Sequence, residues 1–267
     1  TIIDVTHLNL GVAEAVAVAA DFNGDGVAEV AMYSDGYWFI DINGNGRWDD
    51  DDLWAEMGSD EDIPVVGDWD GDGKDDIGVY GLQWPGDNKT LAQDPGLPDL
   101  ANREVTKPKN VPPTRQLGAS RNRLMQTTAR GDVRADVVDH VFQYGRGQEV
   151  AVTGDFNGDG VDNIGTYQDG HWKLDTNGDG RISAGDQVVE FGQAGDIPVV
   201  GDFNGDGVDQ IGVFRDGKWH LDTNGDLQQD HLDQVFQLGT DGDQPIVGDF
   251  DGDGIDDIAV YQIKKAG

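Results

Sequence analysis

Apolar and polar residues alternate in short runs along this chain, and the runs are bounded by Gly, Asp and Asn. Alternation with a period of two puts successive side chains on opposite faces of a strand, and the bounding residues are turn formers. Residues 197–239 carry the pattern most plainly. Pro198-Val199-Val200 is a short apolar strand, and Asp209-Gln210-Ile211-Gly212-Val213-Phe214 is a second. Asp216-Gly217 is a hairpin turn signal. Lys218-Trp219-His220-Leu221 is a third strand, and Gln234-Val235-Phe236-Gln237-Leu238 a fourth.

This unit is repeated. The loop between its first two strands reads Asp202-Phe203-Asn204-Gly205-Asp206-Gly207, and equivalent loops begin at Asp21, Asp68, Asp155 and Asp249. The spacings are 47, 87, 47 and 47 residues, so the long one is a regular unit with about 40 residues inserted. A Gly precedes every loop by ten residues, at Gly11, Gly58, Gly145, Gly192 and Gly239. Trp38, Trp172 and Trp219 share one place on the third strand, where large aromatics are expected to pack between units. Four short strands in a period of about 47 read as one blade of a β-propeller. The predicted fold is all-β: a single five-bladed propeller spanning residues 1–267, with a long loop insertion in its second repeat.

Each repeated loop places Asp or Asn at positions 1, 3 and 5 and Gly at 6. Oxygen side chains at alternate positions of a tight turn converge on one point, which is how a hard cation such as Ca²⁺ is held. The candidate ligands are Asp21, Asn23 and Asp25; Asp68, Asp70 and Asp72; Asp155, Asn157 and Asp159; Asp202, Asn204 and Asp206; and Asp249, Asp251 and Asp253. Position 7 offers a backbone carbonyl, from Val27, Lys74, Val161, Val208 and Ile255. Position 9 closes the shell with Glu29, Asp76, Asn163, Gln210 and Asp257.

A second kind of oxygen-rich loop follows the third strand. Asp41, Asn43 and Asn45 continue through Gly46 and Arg47 to Asp52 at position 12. Asp175, Asn177 and Asp179 continue through Gly180 and Arg181 to Asp186. Both match the EF-hand loop pattern with Asp in place of the terminal Glu. The copy with Asp222, Asn224, Asp226 and Asp233 has Leu227 where Gly belongs, which marks it as the weakest. With the five inner loops, this makes about five to eight calcium ions in all, on the oxygen-ligand logic of such loops.

Charge fits this reading. The formal net charge is −34 and the pI about 4.1. Such a chain repels itself unless cations lie among its carboxylates, and it lacks the basic surface that nucleic acid requires. Residues 82–134 are the exception, with nine of the 18 basic residues against five acids, which leaves −38 on the rest. Six of the nine prolines fall there too, and the core of the segment, 82–122, reads as a basic, Pro-rich insertion. The repeat pattern resumes near Arg123-Leu124-Met125. Without Cys there is neither disulfide nor thiolate site. No apolar run approaches membrane-spanning length, and a first residue of Thr reads as a processed or trimmed chain. Val5-Thr6-His7-Leu8-Asn9-Leu10-Gly11 aligns with the fourth strand, so the N-terminal strand is expected to complete the blade that the C-terminus leaves unfinished.

The run Pro198-Val199-Val200-Gly201-Asp202-Phe203-Asn204-Gly205-Asp206-Gly207, continued by Asp209, Ile211, Gly212, Val213 and Phe214, resembles the FG-GAP or VCBS repeats of extracellular proteins. The loops are similar to those of the calcium-binding β-propeller of integrin α subunits, whose pattern DxDxDGxxD is met in full at Asp68, Asp70, Asp72 and Asp76 and at Asp249, Asp251, Asp253 and Asp257. The resemblance implies an extracellular or cell-surface module of structural or adhesive role. Surface and matrix components are the partners it implies; the basic insertion and the complementary half-blades at the two ends add other copies of itself, as a fibre subunit or filament. Calcium-dependent lectin activity toward glycans is the alternative. Catalysis is not expected: the five His residues form no HExxH pair, and there is no GxSxG elbow and no phosphate loop. A glycoside-active carboxylate pair is the residual enzymatic reading.

Overall fold

The computed structural model describes residues 15–49, 51–58, 62–69, 71–81, 125–128, 133–134, 144–145 and 149–263. Among these the chain is all-β, with no helix. β1 (Val16–Ala20), β2 (Glu29–Ser34), β3 (Tyr37–Ile40) and β4 (Leu53–Glu56) make the first sheet. β5 (Ile63–Gly67) and β6 (Asp76–Tyr80) pair as a second. After β7 (Met125–Thr128) and β8 (Val133–Arg134) comes a third, of β9 (Val150–Gly154), β10 (Asn163–Gln168), β11 (His171–Leu174) and β12 (Gln187–Glu190). The fourth is β13 (Ile197–Gly201), β14 (Gln210–Arg215), β15 (Lys218–Leu221) and β16 (Gln234–Gln237), and β17 (Gln244–Gly248) and β18 (Asp257–Tyr261) form the fifth. All pairings are antiparallel.

The hairpins form where the Asp-Gly signals stand. Asp35, Asp169 and Asp216 have φ of 51°, 52° and 52°, and Gly36, Gly170 and Gly217 follow at 82°, 88° and 80°. Two successive positive φ values are the type I′ turn, whose twist matches that of the strands it joins. Across these turns Tyr33 faces Trp38, Tyr167 faces Trp172 and Phe214 faces Trp219, with ring centroids 4.8–5.0 Å apart. Each indole Nε1–H donates to the carbonyl nineteen residues on, at Met57, Phe191 and Leu238. The tryptophans are fully buried, as expected, and each packs across to the next sheet: Trp38 with Ile77, Trp172 with Ile211 and Val213, Trp219 with Ile258.

That packing changes the burial of the second strands. β14 alternates in sequence, yet Gln210 to Phe214 are all buried. Ile211 and Val213 join the core of the third sheet while Phe214 joins that shared with the fifth, so β14 is covered on both faces. Outer strand β16 is largely exposed.

The first strands of the sheets touch in cyclic order: β1 with β5, β5 with β9, β9 with β13, β13 with β17, and β17 with β1. Ala17, Val30, Ile246 and Ala259 form the apolar contact between the first and last sheets, and Ala17 N–H donates to the Tyr261 hydroxyl at 3.1 Å.

The second unit differs from expectation. β7 does not extend the β5–β6 pair; it adds to the first sheet beyond β4, with Leu53 opposite Thr128 and Glu56 opposite Met125. In the other units a two-residue turn holds the third strand in register with the second, whereas residues 81–124 separate β6 from β7, so no tight turn specifies that pairing. The open edge of β4 takes the strand instead. The insertion at 82–122 and the N-terminal strand at 5–11 lie outside the described residues.

Candidate metal centres

The inner loops are built by their first residue. Asp155 Oδ1 accepts the N–H groups of Gly158 at 2.7 Å and Asp159 at 3.1 Å, and its Oδ2 accepts that of Gly160 at 2.7 Å. The same three bonds recur from Asp21, Asp68, Asp202 and Asp249. Gly at position 6 has φ between 78° and 85° in all five, a conformation that a Cβ disfavours. At position 5, Asp25, Asp72, Asp159, Asp206 and Asp253 each accept the N–H of position 7, on Val27, Lys74, Val161, Val208 and Ile255. The position-9 side chains of Glu29, Asp76, Asn163, Gln210 and Asp257 are buried beneath the loops.

In two of the five inner loops, carboxylates that the sequence singled out draw together. Carboxylate oxygens of Asp21, Asp25 and Glu29 lie within 4.8 Å of one another, as do those of Asp249, Asp251 and Asp257. Glu29 also accepts from Phe22 N–H and the Asn23 amide. Burial, reinforced by Asp21 and Asp25, pushes its carboxyl up to about 8. In the third loop amides stand at positions 3 and 9, and Asn157 Nδ2 donates to Asn163 Oδ1 at 3.2 Å. In the fourth, the Gln210 amide donates to the Val208 carbonyl, so the candidate position-7 carbonyl is engaged internally; Asn204 donates to Asp206 and to the Thr223 carbonyl. Asp70 lies outside the described residues, and Asp68, Asp72 and Asp76 keep the places their counterparts hold.

The outer loops follow one plan. Asp41 Oδ2 accepts Gly46 N–H and Asp175 Oδ2 accepts Gly180 N–H, both at 2.6 Å. Asp52 and Asp186, at position 12, return across the loop to accept from the amides of Asn43 and Asn177. Asp175, Asp179 and Asp186 form the third group of carboxylate oxygens within 4.8 Å. Asn45 and Asp179 accept the N–H groups of Arg47 and Arg181, whose carbonyls stand at position 7. Burial raises Asp41, Asp175 and Asp52, the last to about 6. A divalent cation offsets the cost of such buried negative charge.

A further set of carboxylates was not singled out from the sequence. At position 8 stand Ala28, Asp75, Asp162, Asp209 and Asp256. Their N–H groups donate to the position-1 carbonyls of the preceding loops, Asp249, Asp21, Asp68, Asp155 and Asp202, at 2.7–2.9 Å. The four Asp side chains also accept the N–H of those same residues: Asp75 from Asp21, Asp162 from Asp68, Asp209 from Asp155 and Asp256 from Asp202. Gly67, Gly154 and Gly201 leave room for them, since a Cβ there would meet a carboxylate oxygen at 2.5–2.7 Å. The four carboxylates border a cavity of about 500 Å³ lined by β1, β5, β9, β13 and β17. Burial first, then neighbouring charge, raises Asp75 to about 7, Asp209 to about 6, Asp256 to about 8 and Asp162 well above its ordinary range. These aspartates are links between units. The signal for them was the Asp at position 8 in four of five loops, with Gly closing the strand before.

No helix among the described residues is long and apolar enough to cross a membrane. No family model matches the sequence, and no curated protein does. Among solved structures, the chain is similar to a lectin of Agrocybe aegerita that recognises non-reducing terminal N-acetylglucosamine, with a TM-score of 0.39 and 17% identity over 97% of this chain and 77% of that one. It is also similar to a Tc holotoxin pore of Photorhabdus luminescens, with a TM-score of 0.42 and 14% identity over 96% of this chain and 14% of that one. Likenesses at this level carry no statement about activity.

Proposed function

We propose that this chain is a calcium-loaded, five-bladed β-propeller of FG-GAP or VCBS type, acting outside the cell or at its surface as a structural or adhesive module. The carrying observation is the convergence of loop carboxylates at Asp21, Asp25 and Glu29 and at Asp249, Asp251 and Asp257, repeated in an outer loop at Asp175, Asp179 and Asp186. The cyclic contacts of the five inner strands support the propeller, each sheet being one blade. A body of such negative charge supports calcium as a structural component. The role is binding and assembly, with copies of itself or surface components as partners, and not catalysis.

The test is calcium stoichiometry by equilibrium dialysis together with thermal melts in calcium and in chelator. An ion that binds only the folded state raises its stability by mass action. Several ions per chain and a melting temperature lowered by chelator are expected; absence of bound calcium overturns the reading.

One observation favours the second reading, a calcium-dependent lectin. A polar cavity of about 310 Å³ beside the third sheet is lined by Glu149, Thr166, Gln168, Asp169, His171 and Lys173, and the Thr166 hydroxyl is buried there without a hydrogen-bond partner. Hydroxyl-rich ligands suit such a lining. A glycan array that shows no calcium-dependent binding removes this alternative.

A further inference from the structure

The outer loop 222–233 is the one the sequence marks as weakest, and its three carboxylates do not draw together as Asp175, Asp179 and Asp186 do, yet it keeps the turn of its counterparts. Leu227 occupies the glycine position with φ of 60°, close to the 73° of Gly46 and 64° of Gly180. Its N–H donates to Asp222 Oδ2 at 2.7 Å, as the two glycines do to Asp41 and Asp175. The leucine side chain packs on the core cluster that holds Trp172 and Phe191, which offsets the strain of a left-handed residue. The turn at position 6 therefore has the shape of its two counterparts.

What differs is the fate of the remaining oxygens. Asp41 Oδ1 and Asp175 Oδ1 accept backbone N–H groups from Asn45 and Asp179. Asp52 Oδ1 and Asp186 Oδ1 accept side-chain amides from Asn43 and Asn177. In this loop the Asn224 amide turns to Asp226 instead, at 3.0 Å. Asp222 Oδ1 and Asp233 Oδ1 are left buried without a well-formed hydrogen bond, Asp226 N–H exerting only a weak pull on the Asp222 carboxyl, and Asp222 is 0% exposed. Two such oxygens from the two ends of one loop need a counter-charge.

We propose that the 222–233 loop is a divalent-cation site whose ion is Ca²⁺, with Asp222 Oδ1 and Asp233 Oδ1 as its anchoring ligands. Asn224, Asp226 and the Gln228 carbonyl occupy positions 3, 5 and 7, so the donor set is all oxygen, which suits a hard cation. The inference rests on the calcium reading of the chain and extends it to a loop without the glycine. Leu227 joins this ion to the core between the third and fourth sheets.

Asp222→Asn tests it, because the amide oxygen can still accept from Leu227 N–H while the charge is gone. Bound calcium counted by equilibrium dialysis should fall by one ion per chain in Asp222→Asn and in Asp233→Asn. Melting should change sign between buffers: Asp222→Asn melts above the parent in chelator, where a buried charge has been removed, and below it in millimolar calcium, where a ligand has been lost. Leu227→Gly should keep the ion count and melt lower in both buffers. If the parent binds calcium and both aspartate variants match its stoichiometry, this inference fails and the general reading stands. It fails equally if Asp222→Asn melts lower by the same amount in both buffers. A parent that binds no calcium removes both.

Discussion

Asp209 shows how one residue type serves two purposes here. Its neighbours Asp202 and Asp206 shape a candidate ion loop, while Asp209 itself crosses to the preceding loop and accepts Asp155 N–H at 2.8 Å. Burial holds its carboxyl up at about 6, so near pH 8 it carries a charge that its surroundings disfavour. Asp209→Asn keeps an acceptor for Asp155 N–H and removes that charge. The variant should be more stable than the parent near pH 8 and equal to it below about pH 4, because the folded-state penalty appears only as pH rises past the unfolded value near 4. Asp209→Ala, which also removes the acceptor, should be less stable at both. Urea unfolding at the two pH values measures this. Gly201 is the matching small residue: a Cβ there would meet Asp256 Oδ2 at 2.6 Å and Val247 Cγ1 at 2.7 Å. Gly201→Ala should cost about 1–3 kcal/mol by the same measurement, the usual range for overpacking.

Within each four-stranded sheet, burial declines from the inner strands to the outer one. Trp219 on β15 is fully buried against Ile258 of the fifth sheet and tied by Nε1 to the Leu238 carbonyl, whereas Val235 on β16 is half exposed. Trp219→Ala should therefore destabilise by about 3–5 kcal/mol, and Val235→Thr by no more than about 0.5 kcal/mol. Chemical denaturation of the two variants in calcium compares them directly. The type I′ turns at Asp35-Gly36, Asp169-Gly170 and Asp216-Gly217 explain why these hairpins keep their register.

Across the whole molecule the carboxyls of Glu29, Asp75, Asp162, Asp209 and Asp256, with those of Asp52 and Asp222, are held above their ordinary range, chiefly by burial. A raised carboxyl binds its proton more tightly in the folded state than in the unfolded one. The folded chain thus holds more protons between roughly pH 4 and 8, and stability falls as pH rises through that window. In chelator the melting temperature should drop steadily from about pH 5 to about pH 8. Calcium competes for the loop carboxylates, so its stabilisation grows with pH and the slope should flatten. A melting temperature that rises with pH in chelator would contradict the assignment of these buried groups.

The repeat, most of the strands, the Asp-Gly hairpins, the burial of Trp38, Trp172 and Trp219 and the clustering of loop carboxylates were legible in the sequence. Most depend on residues close together in the chain: alternation sets a strand, two residues set a turn, and nine or twelve residues enclose a candidate cation loop. Three features were decided by distant parts of the chain. Asp75, Asp162, Asp209 and Asp256 look like further loop carboxylates in sequence, and only their contact with the preceding unit makes them links. β7 joined the edge of β4 because no short turn bound it to β6. The Leu227 loop read as the poorest of its kind because its glycine is missing. The neighbouring core that holds Leu227 in a left-handed turn exists only once the third and fourth sheets are packed together.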